Sequence, residues 1–230
     1  MNKKKYYLFS LDMTILNIFS FFLLFLFIGL AIIIDKEFFL DSIIYIFESK
    51  RVLMTFILIF GYMILHELLH SLAYYLYGAK YKNIIYGIQL EKGIFYCLCK
   101  QNIRRKNILN ALFFPLFYIG IMTFILSFIL DSSYLLILSI FNISGCAGDI
   151  MTFLFISRLD REIEFSEFDD TTSFAIYTDK EINEKKHFGL KYIKSVSEIK
   201  RDDLQKIRIS KASYIIIVLL LIGSIIFNYM

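Results

Sequence analysis

The chain has 230 residues, 58% hydrophobic and 18% aromatic, with one proline, no tryptophan and a net charge of +4. Ordinary soluble domains are about 45–50% apolar, so this composition excludes a conventional soluble enzyme and calls for several membrane spans. The modest charge and the lack of any nucleic-acid-binding motif exclude nucleic acid as a partner, and three cysteines make no disulfide framework.

The predicted elements, in chain order, describe an all-α polytopic membrane protein of about five transmembrane helices with small cytoplasmic β-hairpins. Met1 to Lys5 carries three lysines, like the start of a signal peptide. The apolar stretch that follows is long and has no A-x-A cleavage site, which predicts an uncleaved anchor. Spans are expected at 14–34, 52–77, 108–130, 134–157 and 212–227. Residues 38–48 are too short to span and alternate apolar with acidic residues, the pattern of an interfacial helix. Two hairpins are expected, one over 83–99 with a turn at Glu91-Lys92-Gly93, the other over 162–177 around Asp169-Asp170. Residues 180–211 are charged and read as a solvated, partly helical segment. With the N-terminus inside, segments 1–13, 78–107 and 158–211 hold 22 of the 25 lysines and arginines, leaving Lys36, Lys50 and Arg51 outside. The positive-inside rule therefore puts the N-terminus in the cytoplasm and the C-terminus outside.

The second span contains His66-Glu67-Leu68-Leu69-His70, an H-E-x-x-H motif. Residues four apart share a helix face, so His66 and His70 can point at one metal ion, with Glu67 beside them as a base. Such groups are costly in hydrocarbon and need a reason. A metal is one reason, and hydrogen bonding between packed helices is the bland alternative. Catalytic zinc typically takes three protein ligands, and Asp149, in the fourth span, is the intramembrane carboxylate outside the motif. Counting from the span ends puts His66, His70 and Asp149 at one depth, roughly 10–17 Å below the cytoplasmic boundary. Gly145, Ala147 and Gly148 would let this helix approach another closely. Cys146 is the rival ligand, and a helix-packing hydrogen bond is the alternative reading of Asp149. Asn142, on the same face, can orient a ligand or hold a substrate carbonyl. Pro115 frees the carbonyl one turn earlier and can kink the third span beside the site, or it sits in a tolerant first turn. Cys97 and Cys99 read as packing residues and His187 as a surface residue.

A histidine-motif helix, a hairpin, a proline-bearing helix, then a helix with Asn142 and Gly148-Asp149 follow one another. This order resembles the bacterial family of membrane zincin peptidases, over about residues 60–178, and more distantly the site-2 intramembrane metalloproteases. Ile150 follows the aspartate where site-2 proteases carry glycine, and their asparagine-proline pair is missing, so the zincin-like family is the nearer of the two. The resemblance implies His66, His70 and Asp149 as zinc ligands and Glu67 as general base. It implies hydrolysis of a peptide bond in a membrane-associated polypeptide by zinc-activated water, at a bacterial cell membrane. The chain then divides into an anchor span with the interfacial helix (1–51), a zincin-like catalytic core with hairpins (52–178), a charged segment (179–211) and a C-terminal span (212–230). A catalytically inactive zincin-like scaffold or immunity-type protein, and a zinc hydrolase of lipids or small amides, are the alternative functions.

Overall fold

A computed structural model describes residues 5–89, 94–167, 173–182 and 188–196. Its first element is a strand, β1 (Lys5–Leu11), in which Tyr7 and Phe9 are buried in the core while Lys5, at the strand's start, is exposed. Asp12 ends the strand and caps helix α1 (Met13–Ile34), accepting from the Thr14 and Ile15 amides at 3.0 and 3.4 Å, as an N-cap aspartate does. Phe21, Phe22, Phe25 and Ile33 of α1 are exposed, and only Leu23 and Ala31 are buried within the protein. An apolar helix with an outward apolar surface is built for lipid.

Helix α2 (Lys36–Phe47) is capped by Asp35 and buries Phe39, Ser42 and Ile46. It packs on α1 and on helix α6. Helix α3 (Ser49–Leu76) runs unbroken for 28 residues. The hairpin β2 (Ile84–Gln89) and β3 (Ile94–Cys99) pairs Ile84 with Cys99 and Gln89 with Ile94, and lies against α3; its expected turn, 91–93, is outside the described residues. After the short strand β4 (Ile103–Arg104), helix α4 (Arg105–Pro115), a π-helical segment (Leu116–Ile121) and helix α5 (Met122–Ile129) form one continuous apolar stretch. Helices α6 (Ser133–Gly145) and α7 (Ala147–Ser157) meet at Cys146 with a bend of 48°. Gly145 and Gly148 flank that break, a composition that favours kinking. A Cβ on Gly145 would meet nothing within 4 Å, so its small size serves no close helix approach. Three of these helices are long and apolar enough to cross a membrane, and α6–α7 makes up to four. The expected fifth span, 212–227, lies outside the described residues.

The all-α expectation is overturned. Strands β5 (Glu164–Glu167), β6 (Ser173–Thr178) and β7 (Leu190–Val196) join β4 and β1 in a five-stranded antiparallel sheet of order β4-β5-β6-β1-β7. The 162–177 hairpin is therefore part of a sheet, although Asp169-Asp170 lie outside the described residues. Residues 190–196, expected to be solvated and partly helical, form an edge strand. The physical reason is long-range pairing. β1 is short and begins in a lysine run, and its backbone groups are satisfied only by partners more than 160 residues away. Phe9, Phe165, Phe174 and Ile176 make the core where this sheet meets the ends of α3, α4 and α7.

Candidate metal centre

Helix α3 presents His66 and His70 one turn apart. The Nδ1 of His70 donates to the Ala111 carbonyl at 3.0 Å, and His66 Nδ1 faces Asn142 Oδ1 at 3.0 Å. Both partners are acceptors, so each ring carries a proton on Nδ1, and when the ring is neutral its Nε2 lone pair faces inward. Those Nε2 atoms lie 3.1 Å apart. Asp149 Oδ2 lies 3.2 Å from the first and 3.3 Å from the second.

The carbonyl that orients His70 has a local cause. Residue 115 would normally donate to residue 111 in a helix, but Pro115 has no N–H. The Leu116 amide bonds to Phe113 instead. The proline thus leaves the Ala111 carbonyl open for the imidazole.

Asp149 arrives by the bend. The break at Cys146 starts a new helix and sets Asp149 in the first turn of α7, where a carboxylate suits the helix dipole. Helix α4 braces both ligand-bearing helices. Asn107 Nδ2 donates to the Tyr77 carbonyl at the end of α3 at 3.1 Å. Arg105 donates to the last carbonyls of α7, to Ile156 at 2.9 Å and also to Ser157. Gly120 lets the π-helical segment approach α6, since a Cβ there would come within 2.9 Å of Ile143 and 3.3 Å of the Asn142 amide. Cys146 sits on the Nδ1 side of His66, its sulfur 3.9 Å away, apart from the Nε2 edge that faces Asp149.

Glu67 points the other way along α3's surface, toward the hairpin, where its carboxylate accepts from the Cys97 amide. One strand repeat further, the Cys99 amide donates to Glu167 Oε2 at 2.7 Å, and the Tyr74 hydroxyl donates to Glu167 Oε1 at 2.8 Å. Tyr74 continues the 66–70 stripe by one more turn and its ring lies 6.3 Å from that of His70. Burial pushes the Glu167 carboxyl up to about 7, against the opposing pull of the Cys99 and Tyr74 hydrogen bonds. The motif search missed Glu167 and Tyr74; the i+4 continuation of the histidine stripe was the signal for Tyr74, and nothing local marked Glu167. Burial also raises the Cys99 thiol to about 11 and the Cys97 thiol further, so both are neutral packing groups. His187 lies outside the described residues.

His66, Glu67, His70, Tyr74, Asp149 and Glu167 share a cavity of about 660 Å³ that runs from Asn142 to Phe165 and Phe174 of the sheet. Its donor triangle suits a metal. Tetrahedral zinc with bonds of about 2.0–2.1 Å separates its ligand atoms by about 3.3 Å, and the three edges here are 3.1, 3.2 and 3.3 Å. Two facing lone pairs and a carboxylate repel one another unless a metal ion or a proton lies among them. The donor set, two imidazoles and a carboxylate, is one that zinc accepts.

Three donor atoms that could hold a metal ion are thus carried on apolar helices long enough to cross a membrane, under a sheet. The family described as "Putative zincin peptidase" matches residues 59–163, from within α3 to the residue before β5, and the chain is similar to that family over this segment. That likeness suggests a metallopeptidase and fits a site that could hold a metal ion. No curated protein matches the chain, and no solved structure does.

Proposed function

We propose that the protein is a zinc-dependent, membrane-embedded peptidase whose substrate is a membrane-associated polypeptide. The observation that carries this reading is the convergence of two imidazole nitrogens and one carboxylate oxygen beside a glutamate that faces the same cavity. His66, His70 and Asp149 would hold the ion. When bound, zinc supplies Lewis acidity, which acidifies water and polarises a carbonyl. Asn142 and the Ala111 carbonyl keep the two rings in the ligating tautomer. Glu67 takes a proton from the attacking water at its carboxylate and returns it to the leaving amine nitrogen. The Cys97 amide holds that carboxylate in place throughout.

Helical substrates shield their peptide bonds, so one must be extended before cleavage. The Cys97 and Cys99 amides point away from β2 and hold Glu67 and Glu167, and among the described residues no strand pairs with this side of β3, where its carbonyls could accept from an incoming strand. An extended segment can add to this edge by backbone hydrogen bonds. The lysine and arginine distribution puts this end of the helices in the cytoplasm.

The test is zinc per chain and peptide cleavage in detergent-purified protein. Wild type should hold about one zinc and cut an added membrane peptide, whereas Glu67→Gln should keep the zinc and lose at least about 100-fold in rate. Full turnover by Glu67→Gln would remove the base, and correctly folded wild type that refuses supplied zinc would end the metallopeptidase reading.

A further inference from the structure

The cavity has an unbalanced charge. Glu67, Asp149 and Glu167 line it, and among the described residues no lysine or arginine does. A dication at the histidines offsets two of these carboxylates when all are ionised. The third, Glu167, is held by two neutral donors, an amide and a phenol. A carboxylate has room for about four hydrogen bonds, so Glu167 retains acceptor capacity. A partly buried carboxylate with no cation is costly to keep ionised, and it rises to about 7 for that reason. Its neighbours shape a slot. Phe165 lies two residues back on the same face of β5, and Phe174 stands opposite Glu167 on β6; both line the cavity. This is an apolar wall for a methylene stem with a carboxylate at its end.

We propose that Glu167 is an acidic subsite of this cavity, taking an ammonium or guanidinium group of the substrate one strand repeat from the cleaved bond. The spacing comes from β3, because Glu67 and Glu167 are bound to amides two residues apart, about 6.6–6.8 Å along a strand. A segment extended along that edge advances by the same repeat. It therefore sets a charged group two residues from the bond facing Glu67 beside Glu167. The subsite rests on the peptidase reading for what it serves, and its binding can be measured without turnover.

The experiment uses zinc-loaded Glu67→Gln protein and three extended alanine-based peptides of equal length. One is N-acetylated with a single lysine, moved through successive positions. One is N-acetylated with norleucine in its place, and one carries norleucine and a free N-terminus. A charged peptide should bind about tenfold more tightly than the neutral one. That advantage should grow as pH rises through about 7, where Glu167 ionises. It should vanish in Glu67→Gln/Glu167→Gln, since glutamine keeps the shape, can accept from the Cys99 amide and can donate to the Tyr74 hydroxyl, but carries no charge. Preference for lysine alone assigns the subsite to a side chain, and preference for the free amine alone assigns it to a chain terminus. Equal or absent binding of all three peptides, or an advantage that survives Glu167→Gln, overturns the proposal. Cleavage of the lysine peptide by wild type is scored separately: preferential binding without cleavage sinks the peptidase reading and leaves the subsite.

Discussion

The two halves of the donor triangle are built in opposite ways. On α3 a straight helix does everything: an i, i+4 spacing stacks His66 and His70 on one face, and 28 uninterrupted residues hold the register. On the other side the chain has to break. Cys146 ends α6, the direction changes by 48°, and Asp149 enters from the first turn of a new helix. Regular helix geometry is enough for a pair of ligands, whereas a third ligand from another element needs a bend and a brace. Helix α4 is that brace, capping the ends of both α3 and α7.

The contrast can be broken by four measurements. The largest effect is expected from Asp149→Ala, which removes the one ligand atom the bend delivers. Zinc affinity should fall by more than the roughly 10–100-fold that an outer partner costs, and His70→Ala should fall as far. Zinc retained at full affinity in Asp149→Ala, measured by metal analysis after dialysis, would move the third ligand to the Cys146 side of His66. Next, Asn142→Ala frees the His66 ring to rotate and should weaken zinc by roughly 10–100-fold, read by competition with a chelating dye. Unchanged affinity would make that contact incidental.

The third measurement concerns the hairpin and the sheet. Glu167 has a carboxyl raised to about 7 from an ordinary value of 4.5. The stabilisation linked to its proton is fully present below the ordinary value and is lost as pH rises toward 7. Glu167→Gln should therefore match wild type near pH 4.5 and exceed it by roughly 1–2 kcal/mol at pH 8. Thermal unfolding at the two pH values gives the difference, and a gap that does not change with pH would refute the linkage. The smallest effect should come from Pro115→Ala. The restored amide would compete with His70 for the Ala111 carbonyl, which can accept twice, so zinc affinity should drop only about two- to threefold. A loss as large as that of Asn142→Ala would mean the proline also sets the path of the π-helical segment.

The sequence alone carried four of the apolar stretches, the β2–β3 pairing and the spacing of the histidine pair. These depend on composition and short periodicities, and hydrocarbon makes each of them strict, because every buried polar group must be accounted for. Asp149 stood out for the same reason, as a carboxylate in an apolar run. Tertiary structure decided the rest. The five-stranded sheet draws β1 from the start of the chain, β4 from its middle and β5–β7 from residues 164–196, and no local window records a partner 160 residues distant. Glu167 matters only because β5 folds back over the hairpin to meet Cys99 and Tyr74. Pro115 was visible as a missing donor, but only packing could show that His70 uses the carbonyl it frees. Helix spacing is a local property of the backbone; the meeting of two backbones is not, and here it decides which side chains share the cavity.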